Sequence, residues 1–134
     1  MKNTFEKIIK LSDSRIEEFE KNKQEHEWFY KWPETYVEAV KVEGQEAFDE
    51  IRKDNSVHLE DELWDIFWTY ACLLQSLEKR WYIESVENVF KRCDKKFGER
   101  IPFVRENTYD WAWEVIKKKQ KKELKEEHEE KYNQ

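Results

Sequence analysis

Glu43 and Glu46 lie three residues apart, with Glu50 four further on, and Glu62 and Asp65 lie three apart downstream. Three-residue spacing sets both carboxylates of a pair on one face of a helix. Two antiparallel helices carrying such pairs bring four or more oxygens to one point. That donor set suits a hard divalent cation, which takes carboxylate oxygen and water while substrate phosphates complete its shell. Spacing alone carries little weight, because 31 of 134 residues are acidic and chance supplies several such pairs. Context sets Glu62 and Asp65 apart. They open the one long stretch without charge, Ile66 to Leu77, and the first cation after them is Lys79. A partly buried carboxylate without a counter-ion is costly to desolvate, so a cation is expected beside this pair, and a metal ion fits.

The elements that must position these acids read as an all-α bundle of about four to five helices. A first helix is expected from about Thr4 to the Trp28 region, with Phe5, Ile8, Ile9, Ile16 and Phe19 on its apolar side. Trp32-Pro33 marks the next start, since proline suits a first helical turn and Glu34 suits the dipole. This second helix runs to about Arg52, with Val37, Val40, Ala47, Phe48 and Ile51 recurring on one side. Lys53 to Asn55 make the turn, and Ser56 caps a third helix, about Val57 to Lys79. The apolar residues of that helix cover more than half its circumference, and the rest carries the small, neutral Thr69, Cys72 and Ser76. It should be the central element, buried in the bundle or in a dimer interface. A fourth helix, Ser85 to Phe97, shows a stripe of Val86, Val89, Phe90, Cys93 and Phe97, which Gly98 closes and Pro102 keeps from restarting. A last helix carries Tyr109, Trp111, Trp113 and Ile116. Residues 117–134 lose their apolar face and read as a charged extension that frays, following a single domain over 1–116.

Composition narrows the function. Aromatics make up 16% and charged residues 42%, with only two glycines and two prolines, which disfavours a turn-rich β fold. Glycine is too scarce for a phosphate-cradling loop. The net charge of -6 opposes general DNA or RNA binding, and the glutamates after Lys117, Lys118, Lys119, Lys121 and Lys122 offset that basic run. No apolar run is long enough to span a membrane, and the N-terminus lacks the pattern of a signal peptide. Cys72 and Cys93 lack metal-site spacing and read as reduced thiols of a cytoplasmic protein. His26, His58 and His128 form no recognisable catalytic pattern.

The stretch from Trp32 to Val104 resembles the MazG-like family of all-α nucleoside triphosphate pyrophosphohydrolases, whose hallmark is EExxE on one helix and ExxD on the next. VEGQE at Val42 to Glu46 stands in the first position and ELWD at Glu62 to Asp65 in the second, with VENVFKRCDKKFGERIPFV as the basic helix and exit. Val42 replaces the first acid of the motif, so Glu43 and Glu46 match the second and third.

The resemblance implies Mg²⁺, or Mn²⁺, held by Glu43, Glu46, Glu62 and Asp65, with Glu43 and Glu46 catalytic. The implied reaction is hydrolysis of a (d)NTP between the α- and β-phosphates to a nucleoside monophosphate and pyrophosphate. Lys91 and Lys95 match phosphate-holding positions, and Asn88 shares their face. Among the aromatics, Trp32 is the first candidate to stack on a nucleobase, as an exposed residue at a helix start. The wide apolar circumference of the third helix implies a homodimer or homotetramer. The alternative is a non-catalytic helical oligomer or adaptor on the same scaffold.

Overall fold

The computed structural model describes residues 1–25 and 28–133, and His26 lies outside them. Five helices follow one another: α1 (Lys2–Lys21), α2 (Glu34–Asp49), α3 (Ser56–Lys79), α4 (Val86–Glu106) and α5 (Ala112–Tyr132). Among the described residues no strand occurs, and no helix is long and apolar enough to cross a membrane. The chain forms two compact units, Met1–Val86 and Glu87–Gln134.

In the first unit α3 packs against both α1 and α2. Its deepest residues include the small neutral ones: Cys72 and Ser76 are wholly buried, and Thr69 nearly so. Small side chains let neighbouring helices come close, and each hydroxyl bonds within its own helix, Ser76 Oγ donating to Leu73 O at 2.7 Å and Thr69 Oγ1 to Asp65 O at 3.0 Å. Their polarity is therefore satisfied before burial. Ile16 and Phe19 of α1 meet Tyr36 of α2 and Cys72 of α3 in the core. Gln75 Nε2 of α3 donates to Ile9 O and Ser12 Oγ of α1, both at 3.3 Å, fixing the register of the two helices.

Two helix ends in the first unit differ from the sequence reading. Helix α1 stops at Lys21, because Tyr30 folds back to stack on Phe19, ring centroids 5.0 Å apart. Helix α2 stops at Asp49 instead of Arg52. There the Asn55 amide donates to Glu50 O at 2.9 Å, and Asp54 adopts a φ of 57°, so the chain reverses tightly. Val40 and Ala47 face inward as expected, whereas Phe48 and Ile51 stay exposed.

The largest difference is in the second unit. Helix α4 runs through both Gly98 and Pro102 to Glu106. A proline inside a helix clashes with the carbonyl four residues earlier, and here that carbonyl belongs to Gly98, the residue type best able to yield. Nor does α5 fray after Ile116. Its charged half is helical to Tyr132 and is tied to α4 by Arg92, whose guanidinium donates to both Glu127 oxygens at 3.1 and 2.6 Å.

Gly98 has a negative φ, and a Cβ there would meet nothing within 4 Å. Gly98→Ala should therefore stabilise α4 by about 1 kcal/mol, the helix-propensity difference between the two residues. Urea denaturation followed by helical circular dichroism checks this, and a loss of stability would show that the glycine is needed to accommodate Pro102.

Candidate metal centre and cationic groove

The position of the acids follows from helical register. The inward stripe of α2 is Tyr36, Val40, Glu43 and Ala47; that of α3 is Leu59, Glu62, Ile66, Thr69, Leu73 and Ser76. Both stripes advance by three or four residues, so a carboxylate occupies a core-facing position on each helix. The turn at residues 50–55 makes the helices antiparallel, so Tyr36 meets Cys72 while Glu43 meets Glu62 and Asp65.

One carboxylate oxygen from each of Glu43, Glu62 and Asp65 lies within 4.8 Å of the others. Two oxygens bound to one divalent cation stand up to about 4–5 Å apart, so this set fits a single ion. Glu43 Oε2 and Glu62 Oε2 are buried with no hydrogen-bond partner. Such orphaned acceptors cost free energy unless something positive reaches them. Burial, then the carboxylates of Glu46, Asp65 and Glu62, push Glu43 up to about 7. Glu62 is raised by burial and by Glu46, Asp65 and Asp61, and Asp65 by burial, Asp61 and Glu46. Glu46 is thus electrostatically part of the cluster, although it is exposed and outside the triad. Glu50 belongs elsewhere: its Oε2 accepts from Asn55 Nδ2 at 2.6 Å and pairs with Arg52 at 3.3 Å.

Trp32 is half-buried rather than exposed. Its Nε1 donates to Ser76 Oγ at 3.2 Å, the Arg80 guanidinium lies 4.4 Å from a ring centroid, and Tyr82 packs at 5.0 Å. Arg80 in turn donates to Glu20, which also accepts from Tyr30. Burial works to raise Glu20, but Arg80, Tyr30 and Lys23 outweigh it and hold the carboxyl below its usual range. Trp32 is therefore packed against the C-terminal end of α3.

Within the second unit, α4 and α5 enclose an open groove of about 930 Å³. Lys95 lines it, together with Lys96 and Arg100 of α4 and Lys117 and Lys121 of α5. Lys91 does not; it is exposed and pairs with Glu87 at 3.1 Å. Asn88 is half-buried in the first turn of α4, outside the groove lining. Acids also line the groove: Glu99 of α4, beside Arg100, and Glu123, Glu126, Glu127 and Glu130 of α5. Arg100 is 6% exposed and lies against the rings of Phe97 and Trp113, with Nε donating to Gln120 Oε1 at 2.6 Å. The expectation for α4 put Lys91 and Lys95 first, with Arg92 and Lys96 as weaker candidates, and did not name Arg100. The available signal was the four-residue spacing of Lys96/Arg100 and Lys117/Lys121, which places each pair on one helical face.

Residues 31–105 match the family model for the MazG nucleotide pyrophosphohydrolase domain. The match covers more than half of the chain, and the chain belongs to this family. Neither the curated proteins nor the solved structures yield a match. The matched span holds all four acids and Arg100, whereas α1 and α5 fall outside it.

The raised Glu43 carboxyl gives a pH signature. Unfolded, it ionises at its ordinary 4.5; folded and metal-free, it keeps its proton to about 7. The folded state binds the extra proton between those values, so this group's contribution to stability is most favourable below 4.5 and is lost as pH rises to 7. Melting temperatures in EDTA should show that decline, and Glu43→Gln should flatten it. An unchanged slope in the mutant would place the proton elsewhere.

Proposed function

We propose that the protein is a divalent-metal-dependent nucleoside triphosphate pyrophosphohydrolase, releasing a nucleoside monophosphate and pyrophosphate. The observation that carries this reading is the Glu43–Glu62–Asp65 triad with two buried, unpartnered oxygens, set in a MazG nucleotide pyrophosphohydrolase domain. Glu43, Glu62 and Asp65 would hold Mg²⁺ or Mn²⁺. A bound cation of this kind supplies neutralisation of phosphate charge and polarisation of the phosphoryl group. Glu46, exposed beside the triad, would accept the proton of a water whose oxygen bonds to the α-phosphorus while the bond from that phosphorus to the α–β bridging oxygen breaks and pyrophosphate leaves. Within the second unit, Arg100 would hold a phosphate group, since guanidinium geometry matches phosphate in a bidentate manner.

Pyrophosphate release from a panel of nucleoside triphosphates, with Mg²⁺ and with EDTA, tests the reaction. Release should require Mg²⁺, and Glu62→Gln should abolish it while leaving the metal-free melting temperature equal or higher. Mg²⁺ should raise the melting temperature of the native protein and do much less for the mutant. Metal-insensitive melts identical in both proteins would remove the metal centre. One observation favours the adaptor reading: Val42, half-exposed, stands where the family motif carries its first acid. A metal-dependent melt without turnover on any nucleotide would select that reading.

The active form proposed is a dimer or a dimer of dimers. Val37 and Phe48 of α2, Ile51 after it, and Leu63 and Tyr70 of α3 are exposed, apolar side chains that association would cover. Gly44 of α2 has open space where a Cβ would stand, which admits close approach of another backbone. Light scattering at micromolar concentration should give at least twice the chain mass of 16.8 kDa; a monodisperse monomer would contradict it.

A further inference from the structure

Arg100 poses a question that its burial sharpens. Charged side chains buried this deeply are almost always paired with an opposite charge. Among the described residues, the hydrogen-bond partner of Arg100 is the neutral amide of Gln120. Gln120 comes from α5, outside the matched family span, and is itself 7% exposed. Its own donor is committed as well, with Nε2 donating to Lys96 O at 3.0 Å and to Glu99 Oε2 at 3.1 Å. The amide is therefore held from one side by α4, and its oxygen is turned onto Arg100 Nε. The nearby Glu99 carboxylate takes up the amide hydrogen, and no ion pair joins it to the guanidinium.

We propose that Gln120 is a positioning residue, which orients the Arg100 guanidinium in the α4–α5 groove for a phosphate or diphosphate group without neutralising its charge. This rests on the reading that Arg100 holds phosphate. A carboxylate at position 120 would orient the guanidinium equally well, but it would cancel the charge that an anion must find. A neutral acceptor does the first and avoids the second. It fixes Nε, the Phe97 and Trp113 rings restrain the guanidinium, and the two Nη groups remain as a fork suited to two phosphate oxygens. Lys96, Lys117 and Lys121 line the same groove, opposed by the carboxylates of Glu99 and of Glu123, Glu126, Glu127 and Glu130.

The probe is inorganic pyrophosphate, titrated calorimetrically into the full-length protein in EDTA, so that the acidic triad and any cation take no part. Native protein should bind it, and Arg100→Ala should not. Gln120→Met, close in volume but lacking the acceptor, should weaken binding on the order of tenfold, the scale of one hydrogen bond to a charged group. Gln120→Glu is the discriminating variant. It should melt at or above the native temperature, because it pairs a buried cation, yet lose pyrophosphate binding. A purely structural glutamine predicts the opposite, with Gln120→Glu binding pyrophosphate like the native protein, and that result overturns the proposal even if Gln120→Met fails to fold. Native-like binding by Gln120→Met also overturns it. Native-like binding by Arg100→Ala, or no binding by the native protein, removes the phosphate reading of the groove itself.

Discussion

The seam between α2 and α3 carries carboxylates at positions where helix packing asks for apolar side chains, and the site depends on that conflict. Glu43 continues the stripe of Val40 and Ala47, and Glu62 continues that of Ile66 and Thr69. The helices close on one another through their remaining apolar and small residues, and the closure drives like charges together. Without a cation, the arrangement is relieved by protonation, which is why burial and mutual repulsion lift the carboxyls of Glu43, Glu62 and Asp65 together. With one, the same crowding becomes a chelating geometry. The rest of the first unit supplies the rigidity that keeps the acids from simply swinging apart into water.

That rigidity comes from polar joints as much as from apolar packing. Gln75 reaches the Ile9 carbonyl and Ser12 across the α1–α3 contact, and Lys79 pairs with Asp13 further along it. Arg80, Glu20 and Tyr30 lock the chain after α1 against the end of α3, with Trp32 packed against that end. Each joint is satisfied internally, so burying it adds specificity of register without leaving an unmet donor. Cys72, deep in this core beside Tyr36, is pushed up to about 11 by burial and stays an inert thiol.

The two partly or fully buried arginines show how the partner decides the role. Arg80 meets the Glu20 carboxylate at 2.7 Å, and its charge is consumed in holding the fold. Arg100 meets an amide, so its orientation is fixed while its charge remains for a ligand. The Arg92–Glu127 pair, half-exposed at the other end of the hairpin, is a third case: a bidentate clasp in which Arg92 holds the Glu127 carboxyl below its usual range.

Much of this was already fixed in the linear sequence. The charge-free run from Ile66 to Leu77 identified the central helix, because desolvation leaves no other place for it, and the two acids that open it belong to the carboxylate cluster. The family motif, read at Val42 to Glu46 and Glu62 to Asp65, agrees with the matched span. Helix ends and the outer site were not legible, and the reasons are physical. Gly98 and Pro102 read locally as a stop, yet the contacts that Arg100 and Phe97 make with α5 hold the helix through both. Trp32 read as an exposed ring until Ser76 and Arg80, more than forty residues away, covered it. Phosphate-ready cations cannot be told from solvated ones by spacing, since Lys91 and Lys95 share a periodicity with Lys96 and Arg100. Which of them faces a groove depends on where α5 lies, and that is decided by side chains meeting across space, which local sequence does not encode.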